Sequence, residues 1–174
     1  MERVALIVLT AAITLLILLN VVTRSVGQAL FWVDETAIYT MIWAVFIGAS
    51  MQLRLGSAIA VDLVPVMLGR RGRAALRLVV DVIVLLFALA LVWLAWIWYD
   101  PAGLAAAGFD RSALSMTTFN FIYEEPTVTI GAPKFLFWLI IPIFAVSLTI
   151  HAAANLVETL KGEARPSLPG LVEG

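Results

Sequence analysis

Three polar side chains near the end of the sequence have types and a spacing that could support chemistry. His151, Asn155 and Glu158 are separated by four and then three residues, so a helix would place them on one face. Such a face could bind a metal ion or relay protons. His151 is the single histidine, and no acid at membrane depth accompanies it. We therefore interpret this face as structural and predict no metal site.

A second candidate is Asp81, which lies a short way inside a long apolar stretch. An acid within a membrane helix is by default a candidate for a proton or ion relay. Arg77 precedes it by four residues on the same helical face, close enough for an ion pair at the level of the lipid headgroups. We predict a structural ion pair between Arg77 and Asp81, with the relay as the alternative.

No other set of residues indicates catalysis. The sequence has no cysteine, which excludes disulfides, thiolate metal sites and a cysteine nucleophile. It also has no Gly-x-Ser-x-Gly motif, no phosphate-binding loop and no paired carboxylates at membrane depth. We therefore predict no catalytic residues and no cofactor, and expect that the protein is not an enzyme.

These residues lie in a sequence dominated by apolar side chains. Of 174 residues, 63% are hydrophobic and 13% are charged, whereas soluble domains are about 25% charged. Four stretches are long enough to cross a bilayer as helices, at about residues 4–22, 36–53, 78–99 and 135–156. The sequence predicts an all-α membrane domain over residues 1–160, with Pro142 kinking its last helix, and a mobile tail over residues 161–174.

The first stretch could instead belong to a secretory signal peptide, since both begin with charge followed by an apolar run. The uncharged run is 19 residues long, and no convincing small-x-small cleavage site precedes Arg24. We favour a retained first helix. Between the second and third spans, residues 55–69 are apolar but too short to cross the bilayer. Asp62 could cap a short helix with Pro65 in its first turn, so we expect an interfacial amphipathic helix there.

The basic residues predict the orientation. With the N-terminus in the cytoplasm, eight of the 11 lysines and arginines fall inside, and Arg24, Arg111 and Lys134 fall outside. Both termini are therefore expected to be cytoplasmic, with the long connection of residues 100–134 on the outer face. Residues 112–123 of this connection carry enough apolar and aromatic side chains to fold against the membrane surface.

The second span has features of a helix that packs against a partner. Gly48, Ala49 and Ser50 form a small-residue patch that lets another helix approach closely. Glu35 begins the same helix, where its charge suits the N-terminal dipole and could meet a basic group on a partner.

The motifs around this span resemble the small membrane subunit of the TRAP (tripartite ATP-independent periplasmic) transporters. An acid precedes the span, a Phe-Ile-Gly-Ala core lies within it, and an Arg-x-x-x-x-Ile-x-Val-Asp sequence follows. The matching residues are Glu35, Phe46, Gly48, Ala49, Arg54, Ile59, Val61 and Asp62. Ala58 stands where that family commonly has histidine. The Gly-x-Pro sequence before the fourth span and the Ile-Pro inside it also resemble the family's last helix.

This resemblance implies a scaffold function in the bacterial inner membrane. In such systems a large multi-span subunit carries substrate and Na⁺, the small subunit widens the fixed scaffold, and a periplasmic binding protein delivers an organic acid. The implied partners are the large subunit, the binding protein through the assembled complex, and lipid, with no nucleic acid. Glu35, Gly48, Ala49 and Ser50 would then face the large subunit or the chain's own helices, and we favour the former. The alternatives are a small redox or quinone-reactive membrane subunit and a free-standing assembly protein.

Overall fold

The computed structural model describes residues 2–55 and 69–163 of the chain. The predicted interfacial helix, with Asp62 and Pro65, lies outside these described residues, as do residues 164–174 of the predicted tail.

Every regular element in the described ranges is an α-helix. In chain order they are α1 (Glu2–Ser25), α2 (Phe31–Leu55), α3 (Arg70–Tyr99), α4 (Pro101–Ala106), α5 (Arg111–Thr118), α6 (Lys134–Trp138) and α7 (Ile140–Lys161). Within the described ranges, four stretches are long and apolar enough to span a bilayer, namely Glu2–Ser25, Phe31–Leu55, Arg71–Ala106 and Phe135–Lys161. The predicted all-α membrane fold with four spanning helices is confirmed, while the sidedness of its termini stays a prediction.

The helices pack so that α2 and α7 lie at the centre, with α1 against α2 and α3 against α7. Besides Tyr99 at its end, the described buried residues of α3 recur every seven residues at Asp81, Ala88 and Ala95, which defines one face. Two of these three are alanines, whose small side chains let helix backbones approach closely in a membrane. By contrast, α1 has no buried residue at all. Lipid therefore covers surface that a soluble domain would have to bury.

The fourth span is interrupted at Leu139, between α6 and α7. Pro142 has no N–H for the carbonyl one turn earlier, and its ring crowds that carbonyl, so the helix cannot continue regularly here. The indole Nε1 of Trp43 in α2 donates to the Phe137 carbonyl at 2.8 Å. The predicted disturbance at Pro142 is thus present, and a side chain of α2 bonds to the backbone beside it.

Residues 100–134, hereafter the cap, fold over the end of α3 and the start of the fourth span. Two aspartates begin its helices: Asp100 accepts from the Gly103 N–H at 2.9 Å, and Asp110 accepts from the N–H groups of Ser112 and Ala113 at 3.0 and 3.2 Å. A buried apolar cluster joins the cap to α3, formed by Tyr99, Leu114, Ile122 and Tyr123.

Side chains also bond the cap to the helix backbone beneath it. The Tyr123 hydroxyl donates to the Tyr99 carbonyl at 2.6 Å, and the Tyr99 hydroxyl donates to the Phe135 carbonyl at 2.9 Å. The Asn120 amide donates to the Trp98 carbonyl at 2.9 Å. The Trp98 and Tyr99 carbonyls lie at the C-terminal end of α3, so the cap supplies donors that α3 itself cannot, whereas the Tyr99 hydroxyl joins α3 to α6.

We expect Tyr123→Phe to lower the free energy of cap opening by about 1–3 kcal/mol, because it leaves the Tyr99 carbonyl without its donor in a buried site. Hydrogen exchange of the cap amides would measure this loss. Thr117→Val is the control, since that exposed hydroxyl bonds only to carbonyls of its own helix region. Equal effects of the two substitutions would contradict the assignment.

Burial raises the pKa of Tyr123 above its ordinary value of 10, and the charge of Asp100 raises this pKa further. The phenol thus stays protonated in the folded cap at pH values where it ionises in the unfolded chain. Its contribution is complete below pH 10 and is lost as pH rises through the folded pKa. The stability difference between the natural chain and Tyr123→Phe should therefore shrink above pH 10.

Candidate functional site

Polar side chains join the membrane helices at both ends. We call the end near residues 100–134 the cap end, and the end where α1 begins and α2 and α7 finish the open end. At the open end, the Arg54 guanidinium makes two bonds to the Glu158 carboxylate, at 2.6 and 2.8 Å. The same guanidinium donates to the Asn155 side-chain oxygen at 2.8 Å, and the Asn155 amide donates to the Leu53 carbonyl at 2.9 Å. This group fixes α2 against α7.

A second group at the open end joins three helices through Glu2 of α1. Its carboxylate accepts from the hydroxyls of Ser50 in α2, at 3.1 Å, and Ser147 in α7, at 2.8 Å. The His151 Nε2 lies 3.1 and 3.2 Å from the two Glu2 oxygens. The two serine hydroxyls are also 2.8 Å apart. A single carboxylate therefore holds α1, α2 and α7 together.

The predicted face of His151, Asn155 and Glu158 is consequently divided between these two groups. Each of the three side chains contacts a residue of another helix instead of converging on one point. In residues 2–55 and 69–163, no group of three or more histidine, cysteine or acidic residues could hold a metal ion. The structural interpretation of this face agrees with these contacts.

At the cap end, two neighbouring acids of α2 bond to different elements. The Asp34 carboxylate accepts from Arg24 at 2.7 Å and also from the Asn20 amide, which ties α2 to the end of α1. The Glu35 carboxylate accepts from three consecutive backbone N–H groups of residues 128–130, at 2.9, 2.6 and 3.1 Å. The Thr129 hydroxyl donates to it at 2.6 Å. Backbone and hydroxyl dipoles, rather than a basic side chain, thus surround this charge.

The predicted partner-interface residues fall in different places. Glu35 and Ser50 bond within the chain, and a Cβ added at Gly48 would lie 3.7 Å from Leu6 of α1, which is ordinary contact. Ala49 is exposed. Contact of these four residues with a partner subunit stays a prediction, and Ala49 is the one whose surface lies outside the helix pack.

Ala49 belongs to an exposed stripe on α2 that the sequence analysis did not identify. Its members recur every three or four residues, as neighbours on one helical face do. We call this the α2 stripe; it consists of Ile38, Met41, Val45, Ala49 and Gln52. The spacing was visible in the sequence, but nothing there showed which face of α2 the other helices leave uncovered.

Asp81 is buried with 4% of its surface exposed, and the Thr159 hydroxyl of α7 donates to it at 2.5 Å. Arg77 is exposed one turn earlier on α3. The predicted ion pair stays a prediction, and the hydrogen bond gives Asp81 a structural function between α3 and α7. Sequence reasoning did not find Thr159, because no spacing connects residues on two separate helices.

We expect Arg54→Ala and Glu158→Ala each to lower the free energy of unfolding by about 2–4 kcal/mol, since either change leaves a partly buried charge without its main partner. The double variant should lose much less than the sum. Denaturation in mixed micelles would give the coupling energy. Lys161→Ala, at the exposed end of the same helix, is the control with a small expected effect. A coupling energy near zero would refute the pairing.

Comparison with known proteins identifies the family. Residues 13–162 match the family described as tripartite ATP-independent periplasmic transporters, DctQ component. No protein of curated function matches the chain. The matched range covers the second half of α1 and all of α2, α3 and α7, including both groups at the cap end. This chain therefore belongs to the DctQ family, the small multi-pass inner-membrane subunit of tripartite ATP-independent periplasmic transporters.

Proposed function

We propose that this chain is the fixed scaffold against which the large membrane subunit moves during Na⁺-coupled uptake of an organic acid delivered by a periplasmic binding protein. The supporting observation is that bonds at both ends hold the helices together: Arg54–Glu158 and the Glu2 group at the open end, and Asp34 and Glu35 at the cap end. Parts that move against one another need interfaces that slide or separate, whereas the helices of a scaffold have to keep their relative positions. These helices are connected by charge-assisted hydrogen bonds, which are among the strongest available.

The same bonds argue against a substrate pathway within this chain. Secondary transporters place their substrate sites, with broken helices, near the bilayer midplane. Here the charged side chains named above lie at the two ends of the helices, and the hollow between α1, α2 and α7 is lined mainly by apolar residues such as Phe46, Ile143 and Phe144. Substrate and sodium sites would accordingly belong to the large subunit.

The α2 stripe is our proposed contact surface for that subunit. By mean hydropathy over its spanning window, α2 is the lowest of the four spans, and the other helices of the chain leave this face uncovered. The stripe also contains small Ala49 and polar Gln52, which permit close approach and an interhelical hydrogen bond. The predicted partner residue Ala49 lies within it.

The proposed orientation places both termini and the open end in the cytoplasm and the cap in the periplasm. It rests on the distribution of basic residues, eight against three. Among the described residues, Arg71, Arg73 and Arg77 at the start of α3 supply much of that asymmetry.

The scaffold function is tested by Ala49→Phe, which should reduce co-purification with the large subunit about tenfold or more, as a loss of roughly 1.4 kcal/mol would. Sodium-driven uptake should fall in parallel in proteoliposomes supplied with the binding protein and a panel of C4-dicarboxylate, keto acid and sialic acid. Ala11→Phe is the matched control, because Ala11 is an exposed alanine within α1. If both variants assemble and transport normally, the α2 stripe is not the interface; if uptake persists without this chain, the scaffold function fails.

Orientation is tested with single cysteines, for which the natural chain provides a cysteine-free background. A membrane-impermeant thiol reagent applied to spheroplasts should label Thr117→Cys in the cap and leave Arg73→Cys unlabelled until the cells are lysed. Both positions are exposed in the structure, so accessibility alone does not distinguish them. Labelling of Arg73→Cys from outside would overturn the proposed sidedness.

A further inference from the structure

The cap exposes two aromatic side chains in its uncharged segment. Residues 112–123 contain no charged residue. Within them, Phe119 is 80% exposed and Phe121 is 52% exposed. Phe119 also has a backbone φ of 57°, a conformation usually taken by glycine or asparagine at the end of a helix. In water, the exposed rings would be unfavourable.

These rings lie beside the membrane-embedded surface of α3. Between them, Asn120 bonds to the Trp98 carbonyl at 2.9 Å. A shallow hollow contains Phe119 and Phe121 together with Trp98 and Trp138, which end and begin spanning stretches. Trp98, at the end of α3, is itself 39% exposed. The two phenylalanines thus extend the exposed aromatic surface at the end of α3 onto the cap.

We propose that Phe119 and Phe121 lie in the headgroup region of the outer bilayer surface next to α3, and that the cap rests on lipid along this side. Tryptophan and other aromatic rings are favourable at this depth, because their apolar bodies leave water while polar groups stay hydrated. The αL turn at Phe119 presents its ring outward from α5. Lipid is the occupant that is continuous with the neighbouring surface of the spanning helix.

The charges at this hollow indicate what headgroup charge a lipid needs in order to lie against it. Lys134 lies 3.4 Å from Glu125, so the two charges offset each other. A phosphocholine headgroup, which carries both signs, suits such a neutral pair, and no anionic lipid is required. A second hollow on the cap is lined by Arg111, Ser112 and Glu124 and shares no residue with the first. Arg111, Ser112 and Glu124 are all exposed there, so Ser112 provides a reference position beside charged side chains.

The test uses the full chain in phosphatidylcholine nanodiscs, with a polarity-sensitive fluorophore on one introduced cysteine. Phe119→Cys and Phe121→Cys probe the proposed lipid contact, and Ser112→Cys is the control on the polar side of the cap. A phosphatidylcholine with a nitroxide near its glycerol backbone should quench the labels at 119 and 121 several-fold more than the label at 112. Aqueous iodide should show the opposite order.

Phe121→Cys keeps the test decisive if the turn at Phe119 does not tolerate substitution, because Phe121 has no positive φ. Equal lipid quenching at all three positions, or iodide quenching at 119 and 121 as strong as at 112, would overturn the proposal. If instead the purified binding protein shields these labels from iodide in nanodiscs, the rings form a protein-docking surface and the lipid assignment is wrong. None of these measurements depends on transport, so the result is separate from the scaffold function.

Discussion

A charge placed near hydrocarbon must find its partner within the protein, and this requirement determines the arrangement of the helices. In α2, Asp34 bonds to α1, Glu35 to the cap, and Arg54 to α7. Without its partner, the mostly buried Arg54 would carry a substantial desolvation cost. Because one helix bonds to three different elements, α2 sets the position of every other part of the membrane domain, with α3 following through its contact with α7.

Apolar packing contributes less to this arrangement than it would in a soluble protein. Lipid tails are as apolar as leucine, so bringing two helices together removes little surface from water. The structure reflects this: α1 buries no residue, and the buried positions of α3 include two alanines. Close approach of backbones and interhelical hydrogen bonds, such as that from Thr159 to Asp81, then select one packing from many that lipid would permit equally well.

The four spans could be predicted from the sequence because length and hydrophobicity alone decide which helices cross a bilayer. For the His151 face, composition predicted only the absence of companion ligands, and its contacts with α1 and α2 could not be read from the sequence. The contacts could not be predicted: Glu35 is surrounded by backbone N–H groups, which have no residue signature, and Gly48 faces α1, not an outside surface. Glu2 and Ser147 are 145 residues apart in the sequence, and no spacing pattern predicts a contact over such a distance.

The separation along the chain between Arg54 and its partners has a consequence for biosynthesis. Asn155 and Glu158 follow it by 101 and 104 residues, so at synthesis rates of about 5–20 residues per second Arg54 is made roughly 5–20 s before they exist. The Arg24–Asp34 bond, by contrast, spans ten residues and can close as soon as the first two helices are inserted. Until α7 is inserted, the hairpin of α1 and α2 therefore keeps Arg54 in the headgroup region without these partners. Insertion of α7 then completes a fold whose first half is already in place.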